Sequence, residues 1–213
     1  GVQPKSLHPN YRFFDDDRHF YSLRKLAESG STRPSEWMVP FEISTQTGQF
    51  YFGVQLCEDI WCQDYGYAGD VLDGVREFHA RGAQAVFNLS ASPWTWQKND
   101  KRNRTVREVL ARSPVPFFYV NNVGAQNNGK NIIVFDGDSC AYQPNGTIMA
   151  RAPSWEEDLT VVGTPPRVRP QTNEIASIFE ALRTGLMHLD HIRGAESRFL
   201  IGVSGGVDSS VVA

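Results

Sequence analysis

The stretch Phe50-Tyr-Phe-Gly-Val-Gln-Leu56, followed directly by Cys57-Glu-Asp-Ile-Trp61, decides the fold. Aromatic and β-branched residues dominate the first seven positions, so these positions predict a β-strand. The strand ends at a cysteine, and a sharp exit from a strand exposes a thiol in the way that an elbow-type nucleophile requires. A cysteine on an apolar strand more often belongs to the core, so the surrounding residues must decide between the two interpretations.

Helical and strand patterns alternate along the chain after this stretch. Helices are predicted for residues 70–81, closed by Gly82, and for residues 103–111, which end before Pro114. The basic residues around the second helix are expected to form a solvated face. Alternating α and β elements with a hairpin-rich end indicate an α/β or mixed sandwich. Further strands are predicted for residues 85–90, 117–122, 132–136, 139–143, 147–150 and 159–163, with 132–136 and 139–143 antiparallel.

The chain changes character after residue 163. Residues 164–170 are rich in proline and read as a linker. A long amphipathic helix follows, with Thr172 or Asn173 as its N-cap and Gly194 as its end. The sequence therefore predicts a first domain over residues 1–163, a linker over 164–170 and the start of a second domain over 171–213.

A glycine-rich loop near the C-terminus predicts phosphate binding. The apolar run 199–203 predicts a strand, and Ser204-Gly-Gly-Val-Asp-Ser-Ser210 follows it as a tight loop and helix start. Adjacent glycines can turn successive N–H groups inward to form an anion-binding nest at the positive end of a helix. Serine hydroxyls add donors, and Asp208 offers a hard oxygen for a magnesium ion. The loop has no lysine, which excludes a Walker A motif.

Composition limits the class of protein. The chain has 213 residues, 40% of them hydrophobic, which is enough for one full domain and part of another. A formal net charge of −3 argues against a surface for nucleic acids. No run approaches the roughly 20 apolar residues that span a bilayer, and there is no signal peptide pattern. Three cysteines, an odd number, indicate a reducing compartment, so we expect a cytoplasmic protein without a membrane partner.

The Ser-Gly-Gly-x-Asp-Ser loop resembles the signature of the ATP pyrophosphatases, which adenylylate a carboxylate or carbonyl group and release pyrophosphate. The alternative is a simple glycine-rich turn between a strand and a helix. The resemblance implies a Rossmann-like domain that begins here, with ATP as substrate and Mg²⁺ held by Asp208. It also implies nucleotide binding by Gly202, Val203, Ser204, Gly205, Gly206, Val207, Asp208, Ser209 and Ser210.

A second resemblance covers the first domain. The segment Gly53-Val-Gln-Leu-Cys-Glu-Asp-Ile-Trp61 resembles the nucleophile motif of the nitrilase, or carbon–nitrogen hydrolase, superfamily in its glutamine-dependent NAD synthetase branch. Lys5-Ser-Leu-His-Pro-Asn-Tyr11 is similar to the catalytic-lysine segment of that branch, with His8 in place of a leucine. Segments 88–93, 121–124 and 135–139 match in the same order. The resemblance implies a nitrilase-like α-β-β-α sandwich whose N-terminal part is missing here.

The resemblance also implies roles for single residues. Cys57 is the expected nucleophile and Lys5 its electrostatic partner, since an ammonium group lowers a thiol pKa and stabilises an oxyanion. Glu58 is expected to orient the site, while Tyr11, Ser92 and Lys98 contact the glutamine. The general-base glutamate of the superfamily is expected upstream of Lys5, outside this sequence. We therefore expect a fragment that is inactive as a hydrolase when alone.

Together the two resemblances imply glutamine-dependent NAD synthesis. ATP would adenylylate deamido-NAD with Mg²⁺ and without a prosthetic group, and ammonia from glutamine would displace AMP. An enclosed path for ammonia implies a homo-oligomer. Three alternatives remain open: a stand-alone nitrilase-family amidase, a non-catalytic binding subunit, and another ATP pyrophosphatase such as an asparagine synthetase. The last is disfavoured because that family uses an N-terminal cysteine.

Overall fold

A computed structural model describes residues 1–12, 14–65, 71–163, 165–194 and 198–213. This part of the chain has the mixed α/β architecture that the sequence predicts. The helices are α1 (Asp16–His19), α2 (Leu23–Ser29), α3 (Gly74–Ala80), α4 (Lys98–Arg112), α5 (Glu174–Arg193) and α6 (Val207–Val212), with 3₁₀ helices at Pro34–Trp37 and Cys57–Asp64. The strands are β1 (Phe41–Thr45), β2 (Gly48–Leu56), β3 (Ala85–Ser90), β4 (Phe117–Asn121), β5 (Val123–Asn127), β6 (Ile132–Asp136), β7 (Cys140–Tyr142), β8 (Ile148–Arg151) and β9 (Arg167–Val168).

The central sheet places the candidate site residues at the carboxyl ends of its parallel strands. Its seven strands run in the order β1-β2-β3-β4-β7-β8-β9, and β5 pairs with β6 in a separate sheet. Strands β2, β3 and β4 are parallel neighbours, with Leu56 opposite Leu89 and Ser90 opposite Asn121. The carboxyl ends of all three strands therefore meet, and Cys57 follows the first of them directly.

Helices α3 and α4 cover one face of this sheet. Strand β2 approaches α3 so closely that a Cβ at Gly53 would lie 2.4 Å from the ring of Phe78. That contact explains why β2 tolerates a glycine, which otherwise weakens a strand. The core between these elements is apolar and fully buried, with Val75, Val86 and Phe117 at 1% exposure or less. A buried apolar core thus lies beneath the strands that end at Cys57 and its neighbours.

The structure differs from the predicted strands at three places. The predicted strand 159–163 is wrong, since Leu159 is 91% exposed and no strand forms there. Strand β5 was not predicted because its glycine, glutamine and asparagine are uncommon in strands. The predicted pairing of 132–136 with 139–143 is also wrong, because β6 pairs with β5 while β7 pairs with β4 and β8.

Both predicted central helices have different starts. Helix α3 begins at Gly74, where the side chain of Asp73 accepts from the Arg76 backbone N–H, and the predicted start at Asp70 lies outside the described residues. Helix α4 begins at Lys98, five residues early. Its basic residues do not all form a solvated face, because Arg102 is 2% exposed and donates to Asp138 at 2.5 Å.

The C-terminal part is much more exposed than the rest. Asn173 caps α5 as predicted, and α5 packs against β5 and β6. Its apolar face is largely open, with Phe179 65% and Leu182 66% exposed. Residues 199–203 form no strand among the described residues, since a strand needs a hydrogen-bonded neighbour.

The predicted linker between the two domains is described by the structure only in part. The linker 164–170 starts at Thr164, outside the described residues, and contains β9, which pairs with β8. A Rossmann-like second domain stays a prediction, as does the sandwich of two stacked layers. No helix in the described ranges combines the length and hydrophobicity needed to cross a membrane.

Candidate active site

Cys57 stands at a sharp corner between β2 and the 3₁₀ helix that follows. Its φ of +48° lies in the left-handed region, which is uncommon for a residue other than glycine and marks a strained position. The amide of the fully buried Asn88 on β3 donates to the Cys57 carbonyl at 3.3 Å. The thiol is half-buried. This geometry agrees with the predicted elbow.

Burial and nearby charges act on the Cys57 thiol in opposite directions. Burial raises its pKa above the ordinary value, and the Glu58 carboxylate adds to the rise. The ammonium groups of Lys5 and Lys98 lower the pKa, as does a hydrogen bond from Ser90. The predicted effect of Lys5 thus has the right direction, but burial outweighs it.

Lys5 reaches the site because its segment is bound to the corner after β2. The carboxylate of Asp59 accepts the backbone N–H of Ser6 at 3.0 Å and that of Leu7 at 2.9 Å. Its other oxygen accepts the Leu56 N–H at 3.0 Å. The Lys5 ammonium also lies 3.6 Å from the Asp16 carboxylate. Two segments separated by some fifty residues in sequence are joined through one side chain.

Glu58 points into a different environment from Asp59. It accepts the Tyr65 hydroxyl at 2.7 Å and the Tyr11 hydroxyl at 3.2 Å. Burial, and then the neighbouring Glu58 charge, raise the pKa of Tyr11, so this hydroxyl stays protonated and donates. The predicted orienting residue is therefore itself held by two tyrosines.

A cleft of about 1090 Å³ opens beside these groups. Tyr11, Glu58 and Lys98 line it, and Lys98 donates to the Pro93 carbonyl at 3.1 Å. Burial lowers the pKa of Lys98, while Cys57 and Glu58 oppose that shift. Two of the three predicted glutamine contacts thus share one cleft with Glu58.

Ser92 is placed differently from the other predicted glutamine contacts. It is 4% exposed and is not among the cleft-lining residues that the structure describes. Its backbone is fixed by Asn121, which accepts the Ser92 N–H at 2.9 Å and donates to the Ser92 carbonyl at 3.3 Å. The sequence segments 88–93 and 121–124 therefore meet at the carboxyl ends of β3 and β4.

The residues of the glycine-rich loop are not among those that line this cleft, and all of them are exposed except Ser209, which is half-buried. Gly205 has a φ of +84°, the conformation that the nest requires. The Ser209 hydroxyl accepts the Ser204 N–H at 3.1 Å and donates to the Gly206 carbonyl at 3.1 Å, while the Ser210 hydroxyl donates to the same carbonyl at 2.9 Å. The hydroxyls that were predicted as phosphate donors thus bind the loop itself.

The predicted magnesium ligand, Asp208, is exposed at the start of α6. Across the described ranges, no group of three or more His, Cys, Asp or Glu side chains is suited to hold a metal ion. Mg²⁺ commonly uses one or two carboxylates together with substrate phosphates. A single aspartate at the loop fits a magnesium ion that arrives with a nucleotide, and does not fit a resident one.

Sequence reasoning missed three residues that build the site. Asp59 was part of the quoted cysteine motif without a role, and Asn88 and Asn121 stood in quoted segments without one. Each is a polar residue at or near a strand end within an apolar run, and each is 8% exposed or less. Buried polar residues need partners, so such positions signal a structural or functional bond.

Comparisons with known proteins agree with the motifs. The chain is 31% identical over 220 residues to a protein named glutamine-dependent NAD(+) synthetase from Synechocystis sp., covering 98% of this chain and 36% of the relative. A protein of the same name from Acinetobacter baylyi is 28% identical and is covered to 35%. The chain thus spans about a third of the length of these relatives.

A solved structure also resembles nearly the whole of this chain. The structure of glutamine-dependent NAD+ synthetase from Acinetobacter baumannii in complex with ADP aligns with a TM-score of 0.69 and 26% identity. The alignment covers 98% of this chain and 35% of that one. No protein-family model matches the chain. The similarities confirm the resemblance that the motifs predicted.

Proposed function

We propose, from the similarity of this chain to part of the glutamine-dependent NAD(+) synthetases, that it carries the glutaminase site and the phosphate loop of such an enzyme. The observation that carries the proposal is the strained corner at Cys57, which places a half-buried thiol among Lys5, Glu58 and Lys98. A cysteine that only fills an apolar core does not normally lie near two ammonium groups and a carboxylate. Strain of this kind clusters at functional sites.

The proposed first step is attack by the Cys57 sulfur on the side-chain amide carbon of glutamine. The carbonyl carbon becomes tetrahedral, its oxygen gains negative charge, and collapse expels ammonia and leaves a thioester that water hydrolyses. Lys5 is suited to stabilise that oxygen, since a fixed cation in a water-poor site is worth far more than one in bulk water. Tyr11 and Lys98 line the cleft where the substrate would lie.

Proton transfer in this step is not assigned to Glu58. Its carboxylate already accepts two tyrosine hydroxyls, which fix its position. We propose instead that Glu58 holds Tyr11 at the cleft wall and adds negative charge near Lys98. The general base that the resemblance implies, a glutamate upstream of Lys5, would take the thiol proton and pass it to the departing nitrogen.

The proposed second step takes place at the loop 204–210. Backbone N–H groups around Gly205 would bind the phosphates of ATP, and Asp208 would bind Mg²⁺ that the phosphates bring. Adenylylation would activate the nicotinate carboxylate of deamido-NAD, and ammonia would then displace AMP to give NAD. Free ammonia is largely protonated near neutral pH, so a direct transfer from the Cys57 site keeps it nucleophilic.

The test compares two nitrogen sources in the intact protein. With deamido-NAD and Mg-ATP, we expect Cys57→Ala to lose glutamine-driven NAD formation and to keep ammonium-driven formation at the wild-type rate. Cys62→Ala is the matched control, because Cys62 is a buried thiol in the same 3₁₀ helix and should leave both rates unchanged. Amide hydrolysis by a wild type that forms no NAD from either source would favour the amidase alternative.

A further inference from the structure

Asp59 occupies a position that the catalytic steps above do not explain. It is 1% exposed, and its carboxylate accepts three backbone N–H groups, from Ser6, Leu7 and Leu56. A buried carboxylate costs free energy unless its oxygens are fully bonded. Three N–H donors satisfy it, so the bonds are strong and directional.

The donors belong to the two segments that carry the proposed catalytic pair. Ser6 and Leu7 follow Lys5 directly, and Leu56 precedes Cys57 directly. Asp59 itself lies in the 3₁₀ helix that begins at Cys57, where it accepts the N–H of the residue before the helix. One buried carboxylate therefore binds both the segment that carries Lys5 and the turn that carries Cys57.

The same carboxylate supports the strained backbone at Cys57. A left-handed residue persists only when the surrounding structure determines it. The Leu56–Asp59 bond closes the turn around Cys57 on one side, and the Asn88 amide holds the Cys57 carbonyl on the other. Loss of the first bond would free the corner to relax.

We propose that Asp59 is a positioning residue for the glutaminase reaction, which joins the lysine segment to the cysteine corner and fixes the Lys5 ammonium beside the Cys57 sulfur. This inference rests on the proposed function. Asp59 does not touch the substrate, since it is 1% exposed and both carboxylate oxygens are already bound by backbone N–H groups. Burial raises its pKa, whereas the three N–H bonds and Lys5 favour its ionised form.

The test is Asp59→Asn in the intact protein. The amide has the same size, but one oxygen becomes an NH₂ group that must face either Leu56 N–H or the Ser6 and Leu7 N–H pair. One of the two anchors is then lost. We expect glutamine-driven kcat to fall about 10²-fold, the loss typical of a misplacement near 1 Å, with ammonium-driven NAD formation unchanged. The pH midpoint of Cys57 alkylation by iodoacetamide should move upward, because Lys5 no longer lies close to the sulfur.

Asp73→Asn is the matched control. Asp73 is 4% exposed and caps α3 by accepting the Arg76 N–H at 3.1 Å. This variant should leave both the alkylation midpoint and glutamine-driven kcat at their wild-type values. If Asp59→Asn lowers only the melting temperature and keeps the wild-type midpoint, Asp59 is merely structural and the inference is wrong. If wild-type Cys57 is alkylated no faster than Cys62 and Cys140, the proposed function itself fails.

A measurement on the wild type covers the case in which Asp59→Asn does not fold. Amide hydrogen exchange should show Ser6, Leu7 and Leu56 opening with one common free energy, because they share one acceptor. Rapid exchange at Ser6 and Leu7 beside slow exchange at Leu56 would show that the lysine segment moves independently. That result would overturn the inference.

Discussion

The corner at Cys57 and the loop at Gly205 are both short turns that lead into a helix, yet they are held in opposite ways. The corner is bonded to residues from distant segments, including Asn88 on β3 and the lysine segment through Asp59. The loop is bonded to itself, through the hydroxyls of Ser209 and Ser210. One is set by tertiary structure and the other by local sequence.

The difference teaches what each site needs from its ligand. Groups fixed by a buried network are preorganised, so they stabilise a developing charge without a cost of reorganisation. Hydroxyls that bind their own loop must exchange those bonds for phosphate oxygens when a nucleotide arrives. We therefore expect changes at the corner to act on catalysis, and changes at the loop to act on nucleotide affinity.

Lys5→Met tests the corner and has the largest expected effect. The variant keeps an unbranched side chain but removes the charge that faces the Cys57 sulfur. Glutamine-driven kcat should fall about 10²–10³-fold, as when one oxyanion donor is lost, while nucleotide affinity should not change. Steady-state kinetics with glutamine and with ammonium separate the two. A matching loss with ammonium would mean that the two sites do not act separately.

Gly205→Ala tests the loop and should give the reverse pattern. A side chain at a φ of +84° costs about 1–2 kcal/mol, which corresponds to about 5–30-fold weaker ATP binding. Gly163→Ala is the control, because Gly163 has open space around it and no positive φ. Calorimetry with ATP measures the affinity. Equal ATP affinity in Gly205→Ala and wild type would show that the backbone nest at Gly205 does not bind the phosphates.

The pH dependence of Cys57 alkylation sharpens the comparison and is the smallest effect. Burial raises the thiol pKa, so the rate should rise with pH through a midpoint above that of an ordinary thiol. Lys5 lowers the pKa, so the midpoint should rise further in Lys5→Met. Rates measured by mass spectrometry at a series of pH values give both midpoints. Identical midpoints would show that the Lys5 charge does not reach the sulfur.

Those elements of the fold whose sequence signals are local could be predicted well. Strand β2, strand β3 and the cap at Asn173 follow from residue pattern and turn chemistry alone. Strand β5 could not be predicted, because its polar residues form a strand only through pairing with β6. The strand expected at 199–203 fails for the converse reason, since its apolar pattern finds no partner strand among the described residues.

The sequence predicts the reactive groups of the candidate site but not the buried residues that hold them in place. The roles predicted for Cys57, Lys5 and Glu58 follow from the residue types in their motifs. Asp59 and Asn88 act through bonds to distant backbone groups, and sequence spacing carries no information on such bonds. The substrate contact expected of Ser92 stays a prediction; the structure buries this residue and binds its backbone N–H to Asn121.

The central claim is that Cys57 is the nucleophile of a glutamine site, and an electrophilic diazoketone analogue of glutamine tests it most directly. After incubation of the intact protein, peptide mapping should find one adduct, on Cys57, and excess glutamine should prevent it. Cys62 and Cys140 should stay unmodified, since they are 2% and 4% exposed. An adduct on either of those residues, or glutamine hydrolysis by a protein that forms no adduct on Cys57, would contradict the account.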